Sequence, residues 1–133
     1  MDLKPFETIS YVALRAVSGL AFAFHGMQKV FGVLSDQPRP ELGSQIGIGG
    51  LIELVGGVLI AFGLLTRGAA VLASGTMAVA YIQFHWKFAF GDAFFPAING
   101  GELALIYCFV FLFVASRGGD AASIDRLVFG KRR

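Results

Sequence analysis

Four stretches of this chain are long and apolar enough to cross a lipid bilayer as helices, at about 9–31, 46–65, 67–86 and 100–116. A membrane-spanning helix needs about 20 mostly apolar residues. Of the 133 residues, 56% are hydrophobic and 15% are charged, whereas soluble domains usually carry about 25% charged residues. A soluble chain of this length has too small a core to bury so much apolar surface. The sequence therefore predicts an all-α integral membrane protein, a four-helix bundle forming one domain over residues 1–133.

The basic residues are distributed unevenly between the two predicted sides of the membrane. If the N-terminus is cytoplasmic, most of them lie on the inner side or on the first helix, as the positive-inside rule requires. Both termini are therefore predicted to be cytoplasmic. The first apolar stretch exceeds the hydrophobic region of a signal peptide, so we expect it to be retained. The inner set is Lys4, Arg15, Arg67, Arg117, Arg126, Lys131, Arg132 and Arg133, and the outer set is Lys29, Arg39 and Lys87.

Two segments outside the predicted spans have the composition of membrane-surface elements. The tail, 123–133, begins with a capping serine and combines apolar residues with a basic end, which predicts a short amphipathic helix on an anionic lipid surface. The connection 87–98 is rich in phenylalanine and follows Trp86. This composition predicts an aromatic belt at the membrane–water boundary.

Composition also excludes several functional classes. The formal net charge of +2 is too small and too scattered for a nucleic-acid-binding protein. Cys108 is the single cysteine, which excludes an internal disulfide, a CxxC pair and a cysteine metal cluster, and no metal site is predicted. The chain also lacks the GxGxxG fingerprint of dinucleotide-binding proteins. Electrons for any redox reaction must therefore come from another molecule.

Small residues at helical spacing predict close helix packing. Gly49, Glu53 and Gly57 fall one turn apart on the second helix, and Gly19 and Ala23 repeat the spacing on the first. Small residues at this interval let helix backbones approach closely in lipid. We therefore expect the first two helices to pack through these positions.

Two helix starts carry capping signals. Thr66 follows the second span after a tight turn and is predicted to cap the third helix. Asn99 and Glu102 have the spacing of a capping box at the start of the fourth helix. The tight turn at 64–68 also makes the second and third helices antiparallel neighbours.

Glu53 is the sharpest candidate for a functional group, because a lone ionised carboxylate inside a membrane helix is very costly. It must be protonated or paired, and Arg15 is the expected partner, with Lys29 as the alternative. One interpretation is a structural Arg15–Glu53 ion pair that holds the first two helices together. The other is a carboxylate that exchanges protons or binds a ligand. The sequence leaves both open.

Three further ionisable residues are predicted to converge with Lys29 and Glu53 in the outer half of the bundle: His25, His85 and Glu102. The rise of 1.5 Å per residue places His25 roughly a turn and a half deeper than His85. Bis-histidine haem ligation requires both rings at one depth, so haem is disfavoured. A proton-relay role suits histidine because it titrates near neutrality, and the alternative is an ordinary interfacial hydrogen bond.

Several short motifs, taken in order along nearly the whole chain, resemble the DoxX family. They are HGMQKVFG at 25–32, GLIELVGG at 50–57, GLLTR at 63–67, FP at 95–96 with NGGE at 99–102, and SIDR at 123–126.

The resemblance implies a prokaryotic inner-membrane protein with four helices. Members of the family include the membrane subunit of a thiosulfate:quinone oxidoreductase and proteins associated with oxidative-stress complexes, and most have no established activity. Because one fold hosts many functions, the resemblance predicts the fold better than the function. Its motif positions in this chain are Arg15, His25, Gln28, Lys29, Glu53, Arg67, Asn99, Glu102 and Arg126.

Our leading hypothesis is a quinone-interacting oxidoreductase subunit, which needs an apolar slot, hydrogen-bond donors and a proton source. His25 or Lys29 would be the donors and Glu53 the proton relay. Its electron donor would be a soluble or membrane redox partner protein, or a soluble substrate. One alternative is a membrane anchor that docks a soluble redox enzyme. The other is a small transporter, which would require a homo-oligomer.

Overall fold

The structure is a computed structural model that describes residues 3–130, and all regular secondary structure in that range is helical. The all-α prediction is confirmed. The basic end of the predicted tail, 131–133, lies outside the described residues. The helices are α1 (Lys4–Phe31), α2 (Gln45–Phe62), α3 (Thr66–Ala80), a π-helix (Tyr81–Trp86), a 3₁₀ turn (Gly91–Phe94), α4 (Pro96–Asn99), α5 (Glu102–Arg117) and α6 (Ile124–Phe129).

The boundaries of the elements follow from local sequence. Proline near the start of α1 suits a helical first turn, since its missing N–H needs no partner there. Gly32 and Gly63 end α1 and α2 with φ of 72° and 71°, a conformation that glycine adopts without strain. The third predicted stretch is α3 continued directly by the π-helix. Of the described helices, α1 and α2 are each long and apolar enough to cross a membrane.

Glycines bring α1 and α2 into backbone contact. A Cβ placed on Gly19 would lie 2.7 Å from the carbonyl oxygen of Gly57, and one on Gly26 would lie 2.6 Å from that of Gly50. No larger residue fits at either position, so these glycines set the distance between the two helices. The predicted packing role is correct for Gly57 and wrong for Gly49, whose Cβ position meets no atom within 4 Å.

The second helix pair, α3 and α5, packs through alanines and one polar contact. Ala70 and Ala73 are fully buried, and Ser74 Oγ donates to the carbonyl oxygen of Cys108 at 2.8 Å. Aromatic rings then join the two pairs: Phe22 of α1 lies 4.7 Å from Phe111 of α5, centroid to centroid. The core of the molecule therefore lies between the two tightly packed pairs.

The segment 118–125, which we call the C-terminal clasp, folds back over one end of the helices. The guanidinium of Arg15 donates to the carbonyl oxygens of Gly119 and, at 2.7 Å, Ala122. The Asp125 carboxylate accepts from the backbone N–H of Leu65 at 2.7 Å and of Thr66 at 2.9 Å. The clasp thus ties α1, α3 and the end of α5 together.

The capping prediction for Thr66 is wrong, because Thr66 is the first residue inside α3 and Leu65 is its N-cap. The free N–H groups at the start of α3 are satisfied from a distance, by Asp125. The hydroxyl of Thr66 also donates to Asp125, at 2.7 Å. The predicted cap of the tail is present in the structure: Ser123 Oγ accepts from the N–H of Arg126 at 3.2 Å.

Candidate functional site

The buried carboxylate of Glu53 pairs with a lysine from the neighbouring helix. Lys29 Nζ lies 2.6 Å from Glu53 Oε1, and the two side chains are 36% and 3% exposed. The absence of a side chain at Gly50 leaves room for Lys29 to reach Glu53, since a Cβ at Gly50 would lie 2.8 Å from Lys29 Cβ. The glycine that allows α1 and α2 to touch therefore also leaves room for the stem of Lys29 to cross α2.

The expected ion pair between Arg15 and Glu53 does not form. Arg15 lies level with the end of α2, since a Cβ on Gly63 would fall 2.9 Å from Arg15 Nη1. At 1.5 Å per residue, Glu53 is about 15 Å away along that helix, which is beyond the reach of an arginine side chain. Arg15 is 1% exposed and is held by the clasp instead. The alternative partner, Lys29, is the one observed.

Two cavities meet at the Lys29–Glu53 pair. The larger, of about 340 Å³, lies between α2 and α3 and is lined mainly by apolar side chains. The smaller, of about 220 Å³, lies among α1, α3 and α5 and is lined in part by Phe22, His25 and Tyr107. The residues common to both linings are Lys29, Glu53, Met77, Ala80 and His85.

Glu53 has one satisfied and one unsatisfied oxygen. Oε1 accepts from Lys29, whereas Oε2 is buried and has no hydrogen-bond partner among the described residues. A buried acceptor left unpaired costs about 1–3 kcal/mol. Because Glu53 lines both cavities, a ligand that enters either one with a hydrogen-bond donor can satisfy this oxygen.

The two predicted histidines line the same cavity despite their different depths. His25 approaches Tyr107 edge to face, with ring centroids 6.2 Å apart, and His85 also lines this cavity. The presence of both histidines at the smaller cavity is consistent with the predicted convergence of polar groups. Groups of three or more His, Cys, Asp or Glu residues arranged to hold a metal ion are absent from residues 3–130.

Tyr107 is a residue of the site that the sequence does not predict. Its ring stacks on Phe111 at 5.4 Å and its residue is 8% exposed, while it lines the smaller cavity. The sequence signal was weak, because one tyrosine in a long apolar run is equally typical of packing. Its position one and a half turns into α5, facing α1, follows only from the three-dimensional packing.

Glu102 lies outside the site that the sequence assigned to it. It is exposed and lines neither cavity. The predicted capping box is also wrong: Gly101 is the N-cap of α5, and Asn99 Oδ1 accepts from the N–H of Gly101 at 2.8 Å. Asn99 therefore stabilises the turn that precedes the helix.

A π-helix delivers His85 to the cavities, and sequence reasoning did not anticipate it. The segment Tyr81–Trp86 widens the end of α3, and both Phe84 and His85 line the larger cavity. Short π-helical segments inside α-helices occur frequently at functional sites. Beside it, Gln45 Nε2 of α2 donates to Gln83 Oε1 at 2.5 Å.

Comparison with known proteins gives a consistent set of relatives. Residues 10–86 match the model of the DoxX family. "Uncharacterized protein" of Haemophilus influenzae is 35% identical over 133 residues, covering 98% of each chain. "Inner membrane protein YqjF" of Escherichia coli is 30% identical over 135 residues, covering 95% of this chain and 97% of that one. "Putative oxidoreductase CatD" of Bacillus subtilis is 30% identical over 137 residues, covering 97% and 94%.

No solved structure matches the chain.

Proposed function

The chain belongs to the DoxX family, and we propose that it is an inner-membrane protein that binds a quinone as part of an oxidoreductase. The observation that carries the proposal is the pairing of Lys29 with the buried Glu53 at the junction of the two cavities, with Glu53 Oε2 left without a hydrogen-bond partner among the described residues. The relatives named as an inner membrane protein and as an oxidoreductase support the location and the reaction class.

The proposal includes four membrane spans with both termini on the cytoplasmic side. α1 and α2 qualify as spans individually. α3 with the π-helix is about 30 Å long, and α5 with its 16 residues is about 24 Å long, at 1.5 Å per residue. The outward faces of these helices are apolar, as lipid contact requires; examples are Val17, Val55, Leu72 and Phe109. An even number of spans returns the chain to its starting side. With a cytoplasmic N-terminus, the end of α1 and the start of α2, which line the cavities, lie in the outer half of the membrane.

The lining of the cavities suits a quinone. A quinone presents two carbonyl acceptors on a flat ring and carries an apolar tail. Lys29 Nζ retains two N–H groups beyond the one used for Glu53, and His25 and His85 supply ring nitrogens. The apolar wall of the larger cavity accommodates the ring and the tail. Donors for the oxidised head and an apolar surface therefore adjoin each other.

Lys29 and Glu53 can form hydrogen bonds with both the oxidised and the reduced form of the ligand. Quinone takes up two electrons and two protons to become hydroquinone, which converts both carbonyl acceptors into O–H donors. Lys29 donates to a carbonyl of the oxidised form, whereas Glu53 Oε2 accepts from an O–H of the reduced form. Glu53 and the two histidines then provide the groups that move protons between the ligand and the outer surface.

The electrons are proposed to come from a partner protein or from a soluble donor, because the chain itself has one cysteine and no dinucleotide fingerprint. A subunit of this kind binds and orients the quinone, while another component supplies the electrons. A membrane anchor for a redox enzyme would keep the partner without binding the quinone.

Quinone binding by the purified protein tests the proposal directly. Trp86 is the single tryptophan and directly follows His85, which lines both cavities, so its fluorescence is the probe for ligand binding. We expect saturable quenching by a ubiquinone with a short isoprenoid tail in wild-type protein. Glu53→Gln should weaken the affinity at least tenfold, because the amide cannot replace the carboxylate in accepting from the ligand while pairing with Lys29.

Glu102→Gln is the matched control, since it makes the same chemical change at an exposed position outside both cavities. It should bind like the wild type. Equal binding by wild type, Glu53→Gln and Glu102→Gln would contradict the assigned site. Complete absence of saturable quenching in a folded wild-type protein would exclude quinone binding by this chain and favour the anchor.

A further inference from the structure

The two helix pairs are joined by the chain at one end only. The turn at 63–65 connects α2 to α3, and the C-terminal clasp adds the contacts of Arg15 and Asp125 at the same end. At the opposite end, the connection 32–44 links α1 to α2 and the connection 87–101 links the π-helix to α5, so each stays within its own pair. No backbone connection between the pairs exists at that end in the described chain.

The larger cavity lies at this untied end. α2 and α3 touch far less than α1 and α2 or α3 and α5 do, because the cavity separates them. Several lining residues are at the same time exposed on the outer surface of the helices: Ile46 and Ile48 are 46% and 49% exposed, and Val79 is 45% exposed. The cavity therefore opens sideways, between two helices that present apolar faces.

Among the described residues, one side-chain hydrogen bond connects α2 to the π-helix across this opening between α2 and α3, which we call the slot. Gln45 of α2 donates to Gln83 of the π-helix at 2.5 Å, and both side chains are exposed rather than buried in the core. The π-helix that carries Gln83 is followed by two successive non-glycine residues with positive φ, Lys87 at 53° and Phe88 at 56°. L-residues adopt this conformation reluctantly, so the end of the segment is held under strain beside the bridge.

From this arrangement we infer that the slot between α2 and α3 is a lateral entrance for a ligand dissolved in the bilayer. The apolar walls of the slot hold the ligand's tail. The Gln45–Gln83 hydrogen bond is the latch that keeps the slot closed. The ligand's head stops at Lys29 and Glu53, where the slot meets the smaller cavity. The untied end of the two pairs separates to admit the ligand, and the clasp end acts as the hinge. The inference rests on the proposed quinone site and adds its route of entry and the apolar tail as a requirement.

Gly49 provides a direct test of the slot. Its Cβ position meets no atom within 4 Å, and it lines the larger cavity, so Gly49→Leu should fill the slot without displacing a neighbour. Gly75→Leu is the matched control, because Gly75 lies on the exposed face of α3, also meets no atom within 4 Å, and lines neither cavity. In nanodiscs, Gly49→Leu should weaken the affinity for a ubiquinone with a ten-unit tail at least tenfold, and Gly75→Leu should leave it within twofold.

The latch is tested by kinetics. Gln83→Ala removes the bridge and leaves Lys29, Glu53 and the cavity walls in place. Stopped-flow quenching of Trp86 should show both association and dissociation of the ten-unit ubiquinone accelerated at least threefold, with the equilibrium affinity within twofold. A structural role alone would change the affinity or the melting temperature and not both rate constants together.

The outcomes separate the inference from the function on which it rests. Saturable binding with unchanged rates in Gln83→Ala would overturn the latch and leave the quinone site intact. Saturable binding that Gly49→Leu does not weaken would overturn the slot in the same way. Absence of binding in folded wild-type protein would overturn the quinone site and the lateral entrance together.

Discussion

The two ends of this molecule each bury a charged side chain, but the partners of the two charges differ. Arg15, 1% exposed, donates to backbone carbonyl oxygens of the clasp, which are covalently part of the chain and cannot leave. Glu53, 3% exposed, has one partner within residues 3–130, the partly exposed Lys29, and lines two cavities. The first arrangement closes an end of the helices, whereas the second leaves acceptor capacity for a ligand.

The difference shows how a buried charge can be assigned a role. A charge surrounded by backbone partners stabilises a particular chain path. A charge with a single side-chain partner and an adjoining cavity has the features of a binding site. An unsatisfied buried atom does not separate the two charges, because Arg15 Nε and Glu53 Oε2 both lack a hydrogen-bond partner among the described residues. The comparison predicts that substitutions at the clasp end change stability first, and that substitutions at the cavity end change binding first.

The largest expected effect is at Arg15. Arg15→Leu would leave the carbonyl oxygens of Gly119 and Ala122 without their donor, at a cost of about 3 kcal/mol in unfolding free energy. Arg15→Lys should lose less, since an ammonium can still donate to one of them. Chemical denaturation in detergent measures both. A loss below about 1 kcal/mol for Arg15→Leu would show that the clasp does not hold this end together.

A smaller effect distinguishes two buried tyrosines. Tyr11, at the clasp end, donates from its hydroxyl to the carbonyl oxygen of Gly118 at 2.5 Å. The Tyr107 hydroxyl makes no hydrogen bond in residues 3–130 and its ring lines the smaller cavity. Tyr11→Phe should therefore cost about 1 kcal/mol in unfolding free energy, and Tyr107→Phe less than about 0.5 kcal/mol.

Quinone affinity measured on the same two variants completes this test. Tyr107→Phe should weaken binding, because it removes a donor at the smaller cavity, and Tyr11→Phe should not. The reverse pattern, with binding lost at Tyr11 and stability lost at Tyr107, would remove the distinction between the two ends.

The all-helical class of the described residues could be predicted from the sequence, because the apolar runs of this chain are long. The first helix nevertheless begins at Lys4, five residues before the predicted start at 9, and α2 ends at Phe62, three residues before the predicted end at 65. The sequence also identified Glu53 correctly as a buried group that needs a partner, and it named Lys29 as the alternative partner. These conclusions depend on local sequence and on the cost of burying charge, and neither requires knowledge of the three-dimensional structure.

The errors concern contacts between distant parts of the chain. Depth along a helix did not show that Arg15 lies beside the end of α2, out of reach of Glu53. Asp125, which satisfies the start of α3, is 59 residues away from Thr66 in sequence. Tyr107 and the π-helix depend on how α3 and α5 pack. The pattern of one helix does not determine which side chains a second helix brings to it.

Removing the ion pair between Lys29 and the buried Glu53 completely is also expected to have only a small effect on stability. Lys29→Met combined with Glu53→Leu replaces both members with apolar side chains of similar size, and we expect the unfolding free energy to change by less than about 1 kcal/mol. Desolvation of a buried pair commonly offsets its attraction, so an apolar replacement is often neutral or stabilising. Quinone binding should be lost in the same protein, because the donor and the acceptor at the cavity junction are both gone. If the double variant instead unfolded as readily as Arg15→Leu, the pair would be a structural element of the same kind as the clasp, and the cavity would need another explanation.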